Sequence, residues 1–273
     1  RKEYKINMRF PEFLKKNGTI GFVAPSFGCN IEPYKTSFNH ALEKFHDMGY
    51  QTMLGPNCFE GSGIGISNTP EKCAAELNKM YLSDEADALI SCGGGELMCE
   101  ILDDVDFDAI KAAKPKWYMG YSDNTNFTFL LTTICDVASI YGPCAGTFGM
   151  EPWDESIEDC FSLFTGKKLT MQSYPLWEKE GLRDEEHPLE PYNLTEQSLV
   201  RGFLTQKDRA GEVQAVETEG TIEFKGRLIG GCMDCLVNLT GTKFDQVKSF
   251  NERYKEDGII WYLESCDLNV FGI

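Results

Sequence analysis

The sequence predicts an α/β protein built on a mostly parallel sheet, and three observations carry that expectation. Short apolar runs recur at Thr19–Ala24, Ala86–Cys92 and Trp117–Met119, each too short for a buried helix and each leading into Gly, Pro or Ser. Segments with apolar residues at helical spacing follow them, as in Tyr34–Met48, Glu96–Leu102 and Asp123–Ile134. Strand and helix therefore alternate, and strands joined through helices run parallel.

In chain order, Thr19–Ala24 closes on Pro25-Ser26 and reads as a buried first strand. Phe38, Leu42 and Phe45 mark one face of a helix that stops at Gly49, a C-cap position. After a glycine-rich loop from Gly61 to Asn68, Thr69-Pro70 opens a second helix in cap-then-proline order. Ala138–Tyr141 before Gly142-Pro143 suggests another strand, and Ile157–Phe164 a helix ending at Gly166. Pro175, Pro191 and a dense charged run make residues 167–200 a linker or lid carrying Trp177. Gly230-Gly231 is expected to open a helix containing Leu236 and Leu239, and Gly258–Glu264 to be a buried strand ending in a carboxylate. The expected organisation is an N-terminal domain over 1–166, the lid over 167–200 and a second domain over 201–273.

Composition narrows the partners. A net charge of −17 repels phosphate backbones and anionic lipid, and no basic stripe offsets it, so neither nucleic acid nor a membrane surface is an expected partner. No apolar run reaches the roughly 20 residues of a membrane span, and the N-terminus leads into no signal-peptide core; the expected location is the cytoplasm. Eleven cysteines in mostly apolar segments read as small buried hydrophobes. Cys232-x-x-Cys235 has the spacing of a zinc or redox motif but no second pair and no neighbouring histidine, so no metal is expected there, and no cofactor elsewhere.

The most informative stretch runs from Lys116 to Leu131. A strand turns sharply into a helix at Ser122, which would lift a hydroxyl out of the sheet edge, as in the G-x-S-x-G elbow; here the pattern is Gly120-x-Ser122-x-Asn124. The same residues also suit an ordinary helix cap. Gly93-Gly94-Gly95 precedes a helix at the same edge and is either an anion cradle or a tight turn that needs positive φ. It matches neither a dinucleotide fingerprint nor a P-loop.

Taken together, Gly18–Ser26, Gly93–Gly95, Gly120–Thr125, Gly226–Gly231 with Leu239–Thr242, and Ile260–Asp267 resemble the LD-carboxypeptidases, a family of serine peptidases that includes microcin C self-immunity proteins. The resemblance implies a flavodoxin-like, class I amidotransferase-like N-terminal domain and a smaller C-terminal domain that appears truncated. It implies a homodimer and a Ser–His–Glu triad in which Ser122 is the nucleophile and Glu264 orients the histidine. The oxyanion hole falls on the amides of Asp123 and of Gly94 or Gly95. The family's histidine lies in a Gly-His segment some tens of residues after the glutamate; none of His40, His46 and His187 matches it. An incomplete, poorly active chain is therefore expected, with His187 or a second subunit as the rival source of a base. Cys232 stands where the family commonly has an asparagine. The implied substrate is a muropeptide tetrapeptide or a peptidyl or aminoacyl nucleotide, with Trp177 as a candidate to stack on a base. A non-catalytic protein binding ligands in the same cleft is the alternative.

Overall fold

The computed structural model describes residues 8–269. Its centre is a five-stranded parallel sheet of β1 (Thr19–Val23), β2 (Gln51–Leu54), β3 (Ala88–Ser91), β4 (Trp117–Gly120) and β5 (Ile140–Tyr141) in the order β2-β1-β3-β4-β5. That 2-1-3-4-5 order is the flavodoxin-like one, so the expected α/β class and strand direction hold. β3 and β4 are buried at every residue, as strands covered on both faces must be.

Helices cover the two faces. On one side α1 (Tyr34–Asp47) and α5 (Glu155–Phe164) bury Phe38, Phe45, Phe161 and Phe164 against Phe22 and Phe148. On the other, α2 (Pro70–Leu82), α3 (Phe107–Ala112) and α4 (Thr125–Thr133) enclose Leu77, Leu89, Tyr118, Phe127 and Leu130. Every residue of α4 is buried, which places the segment after Ser122 in the rigid interior. The caps follow the sequence: Thr69 Oγ1 accepts from the Lys72 amide, and Gly49 and Gly166 take φ of +90° and +73° at helix ends.

Beyond the sheet, β6 (Leu176–Glu178) pairs with β7 (Leu194–Gln197), and β8 (Gly202–Lys207) with β9 (Val213–Thr218), as two antiparallel ribbons. β10 (Arg227–Cys232) and β11 (Ile259–Glu264) form a separate two-stranded parallel sheet linked through α6 (Met233–Leu239) and α7 (Val247–Tyr254). This unit leans on the first: Phe250 and Tyr254 reach its core, and Arg253 and Tyr254 bind Asp136 at about 3 Å.

Several expectations need correction. Residues 98–104 form a 3-10 helix rather than an α-helix from Glu96, because Gly95 and Met98 spend their amides on the Asp123 carboxylate. Gly230 and Gly231 lie inside β10 rather than at a helix start. There a Cβ on Gly230 would fall 1.7 Å from the Tyr262 carbonyl and one on Gly231 2.6 Å from Thr125 Oγ1, so close approach demands them. β11 is a strand but not a buried one, with Trp261 43% and Leu263 52% exposed. Residues 167–200, read from the sequence as a linker or lid, contain the β6–β7 ribbon.

Candidate active site

Ser122 terminates β4 with φ +62°, a left-handed conformation that costs an L-residue roughly 1–2 kcal/mol. Its surroundings hold that conformation. The Ser122 amide donates to Tyr141 Oη at 2.8 Å, and Thr125 Oγ1 donates to the Ser122 carbonyl at 2.8 Å. The side chain is not a cap: the 3-10 turn Ser122–Asn124 is entered from Tyr121, α4 from Asn124, and neither end has a side-chain cap bond. A Cβ on Gly94 would lie 2.7 Å from Ser122 Cβ and 3.1 Å from its Oγ, so only glycine lets the loop pass the serine this closely. None of Gly93, Gly94 and Gly95 has positive φ, which removes the tight-turn explanation of the triplet.

Asn124 stands where the elbow pattern has its second glycine, and the structure gives it work. Fully buried, it accepts the Tyr118 hydroxyl at 2.5 Å and donates from Nδ2 to the carbonyls of Gly93 and Tyr121, both at 3.0 Å. One side chain thereby ties the glycine loop to the serine turn.

The Asp123 carboxylate does the same from beneath. It is 2% exposed and accepts from Ser26 Oγ at 2.6 Å, the Gly95 amide at 2.8 Å and the Met98 amide at 3.2 Å. Burial pushes its pKa up, and those three donors pull it back. Since the Gly95 N–H is taken by this carboxylate, Gly95 drops out as an oxyanion donor, and Gly94 is the loop residue that borders the serine. The sequence offered the amide of Asp123 and missed its side chain; an acid directly after the bend, with a serine closing β1, was the available signal.

Glu264 arrives from the other unit. It ends β11, in register with Cys232 at the end of β10, and the Cys232 amide donates to Thr125 Oγ1 at 2.9 Å. That bond and the missing Cβ of Gly231 seat β10 against the start of α4. Tyr141 Oη then donates to Glu264 Oε1 at 2.5 Å while accepting from the Ser122 amide. One phenol thus joins the serine turn to the carboxylate, and burial together with Glu264 keeps it protonated. Sequence reasoning read Tyr141 only as a strand residue. Cys235 Sγ approaches the Ser122 carbonyl at 3.9 Å, and Cys232 faces Asp234 and Glu264, with burial raising its thiol to about 11. Among the described residues no group of three or more His, Cys, Asp or Glu is placed to hold a metal ion.

Other candidates lie apart. Trp177, on the β6–β7 ribbon, is 48% exposed and donates from Nε1 to the Gln197 carbonyl at 3.2 Å. It lines a cavity of about 310 Å³ with Tyr174, Tyr192 and the N-terminus of α5, and neither Ser122 nor Glu264 borders that cavity. His40 Nδ1 is 2.8 Å from the Gly149 carbonyl, His46 is an exposed neighbour of Asp47, and His187 Nδ1 is 3.1 Å from Asp184. No histidine is brought to Ser122 or Glu264 by a hydrogen bond or ion pair among the described residues.

Comparison with known proteins gives this geometry a context. Residues 20–142 match the LD-carboxypeptidase N-terminal domain. The chain is 27% identical over 234 residues to the microcin C7 self-immunity protein MccF of Escherichia coli, covering 85% of this chain and 63% of that protein. It is 27% identical over 245 residues to a probable murein peptide carboxypeptidase of Bacillus subtilis, covering 89% and 62%. The chain therefore spans less than two thirds of either relative. Among solved structures, MccF with glutamyl sulfamoyl guanosine superposes with a TM-score of 0.74 at 22% identity, over 93% of this chain and 70% of that one. An MccF-like protein from Streptococcus pneumoniae in complex with AMP gives 0.66 at 19%, over 92% and 73%. At these identities the structures establish a shared fold. No helix among the described residues is long and apolar enough to cross a membrane. Residues 20–142, which carry the Gly94 loop, the Ser122 elbow and Tyr141, are thus similar to the N-terminal domain of the LD-carboxypeptidases.

Proposed function

We propose that the chain carries the nucleophile, the oxyanion donors and the orienting acid of a serine hydrolase that cleaves an amide beside a free carboxylate. The observation that carries the reading is Ser122 itself: a non-glycine residue held at φ +62° at the end of a buried strand, not used as a cap, with a glycine loop pressed against its Oγ. Strain kept at one residue by partly buried bonds on each side is characteristic of a functional position.

In this mechanism Ser122 Oγ forms a bond to the substrate carbonyl carbon, and the resulting oxyanion is received by the amides of Asp123 and Gly94, each contributing about 3 kcal/mol in comparable sites. A base takes the serine proton and delivers it to the leaving amine as the C–N bond breaks, water then cleaves the acyl-serine ester through the same base, and Glu264 orients that base. His40, His46 and His187 are engaged elsewhere, so the reading takes its histidine from outside these three. The relatives' names suggest two substrates, a murein peptide or an amide-linked nucleotide of the glutamyl sulfamoyl guanosine kind. Trp177, with Tyr174 and Tyr192, offers the aromatic surface for a nucleobase in the second case. A cytoplasmic homodimer acting on such small ligands, without nucleic-acid or membrane partners, completes the reading.

Incubation with a fluorophosphonate and 50–100 mM imidazole, roughly the range in which a free base can stand in for a positioned one, tests it by mass spectrometry. A single adduct on Ser122, faster with imidazole and absent in Ser122→Ala, is the expected result. A folded protein that never takes the label would favour the second reading, a ligand-binding protein without catalysis, to which the distant histidines give some support.

A further inference from the structure

Aromatic rings flank the Gly93–Gly95 loop and the residue before Ser122, and one guanidinium stands over them. On the glycine side, a Cβ at Gly93 would touch Phe27 Cβ at 3.5 Å, and Phe27 meets Tyr34 edge to face with centroids 5.7 Å apart. The Arg183 guanidinium stands 5.4 Å from the Tyr34 centroid. On the serine side, Tyr121 immediately precedes Ser122 and its hydroxyl meets Thr147 Oγ1 at 3.4 Å. A Cβ on Gly146, next to Thr147, would lie 4.0 Å from the Tyr34 carbonyl, so Tyr34 borders the segment that Tyr121 touches as well as Phe27. Arg183 therefore stands over the one ring, Tyr34, that borders both the glycine side and the Tyr121 side. Tyr34, Tyr121 and Tyr192 are 41%, 39% and 36% exposed, so their rings face an open surface rather than a filled core.

Among the described residues no carboxylate pairs with the guanidinium. The adjacent acid, Asp184, accepts the amides of Glu186 and His187 at 3.0 and 2.7 Å and faces His187 Nδ1. Arg183 itself makes no ion pair or hydrogen bond among the described residues, in a chain with 43 acidic and 26 basic side chains. Its segment is nevertheless anchored: Ser37 Oγ donates to the Pro188 carbonyl at 2.5 Å and the Glu151 amide to the Leu189 carbonyl at 2.9 Å. A half-buried, unpaired guanidinium over the Tyr34 face, on an anchored segment, is suited to receive a planar anion in bidentate fashion.

We propose that Arg183 is the specificity-determining residue that receives the free carboxylate of the ligand, with Tyr34 beneath its guanidinium. The proposal rests on the hydrolase reading for the identity of that carboxylate, the one beside the bond Ser122 attacks, and it names the ligand class as peptides ending in a free acid.

The experiment titrates N-acetyl-L-lysyl-D-alanine and its C-terminal amide into the full chain carrying Ser122→Ala, by calorimetry, so that binding is read without turnover. The acid is expected to bind at least about tenfold tighter than the amide, as one charge-assisted bidentate pair provides. Arg183→Gln should bring the two within about twofold, and Arg183→Lys should keep part of the preference, with unchanged thermal midpoints in both. Equal binding of acid and amide, or a preference that survives Arg183→Gln, overturns the proposal. Phosphonate labelling of the wild type separates the two ideas: an Arg183-dependent preference without labelling removes the nucleophile and keeps the anion site, whereas labelling without the preference removes the anion site alone.

Discussion

The two halves of the site are built differently. Ser122 hangs from β4, a strand buried at all four residues, and feeds α4, a helix buried at all nine. Glu264 ends β11, which has a single strand neighbour and exposes Trp261 and Leu263. The serine is thus held by a core, and the acid by a few named bonds: Cys232 to Thr125, Tyr141 to Glu264, and Arg253 with Tyr254 to Asp136. Packing can hold a strained residue in place; a thin strand pair can present an acid only as well as its tethers allow.

Matched truncations should expose that difference most strongly. Phe127→Ala removes a fully buried ring that packs on Tyr118, Tyr81 and Phe107 and should cost about 3–5 kcal/mol in urea unfolding. Trp261→Thr removes a larger ring from a half-exposed strand face and should cost less than about 1.5 kcal/mol. Equal losses would show that β11 is packed as firmly as β4, and the contrast between the two regions would disappear.

Within the serine half, Asp123 gives a sharper test because reactivity and stability should move oppositely with pH. Its folded pKa lies above the unfolded value because of burial. The penalty for its ionised form is therefore absent below the unfolded pKa and grows as pH rises toward the folded one, so this group favours the fold at lower pH. The carboxylate, however, needs its acceptor sites for Ser26, Gly95 and Met98, and a protonated acid gives one up. Acidification through the raised pKa should slow phosphonylation of Ser122 while this group's share of stability increases. Asp123→Asn should be slow at every pH, by up to about a hundredfold, and should flatten that part of the profile. A pH profile in the Asn variant that follows the wild type would assign the titration to another group.

The same division explains what could be read from the sequence. β1, β3, β4 and α1, α2, α4 were legible because buried strands and amphipathic helices leave periodic signatures, and the bend at Ser122 because glycine and serine punctuate it. β2 was missed: a four-residue edge strand with no fully buried position carries no pattern. The roles of Asp123, Asn124 and Tyr141 were hidden for another reason. Each acts through side-chain bonds to residues up to 123 positions away, and local spacing does not encode such partners. At Gly230-Gly231 the error was one of cause, since glycine before a helix was read as a turn when it records the approach of Tyr262 and Thr125.

The finest test asks whether the two halves act as one. The Tyr141 hydroxyl joins them, and Tyr141→Phe removes it while keeping the ring, whose centroid lies 5.7 Å from that of Tyr262. Stability should fall by less than about 1.5 kcal/mol, the net worth of one or two partly hydrated hydrogen bonds. Phosphonylation of Ser122 should slow by roughly tenfold, because the serine amide and the Glu264 carboxylate both lose their shared partner. Glu264→Gln should slow it comparably, since an amide in place of the carboxylate is a weaker acceptor for the phenol. If the hydroxyl acts through the carboxylate, the double variant should be no slower than the worse single one, the non-additivity expected of groups in one network. Effects that multiply would mean that Tyr141 serves the strained turn alone and that Glu264 reaches the reaction by another route.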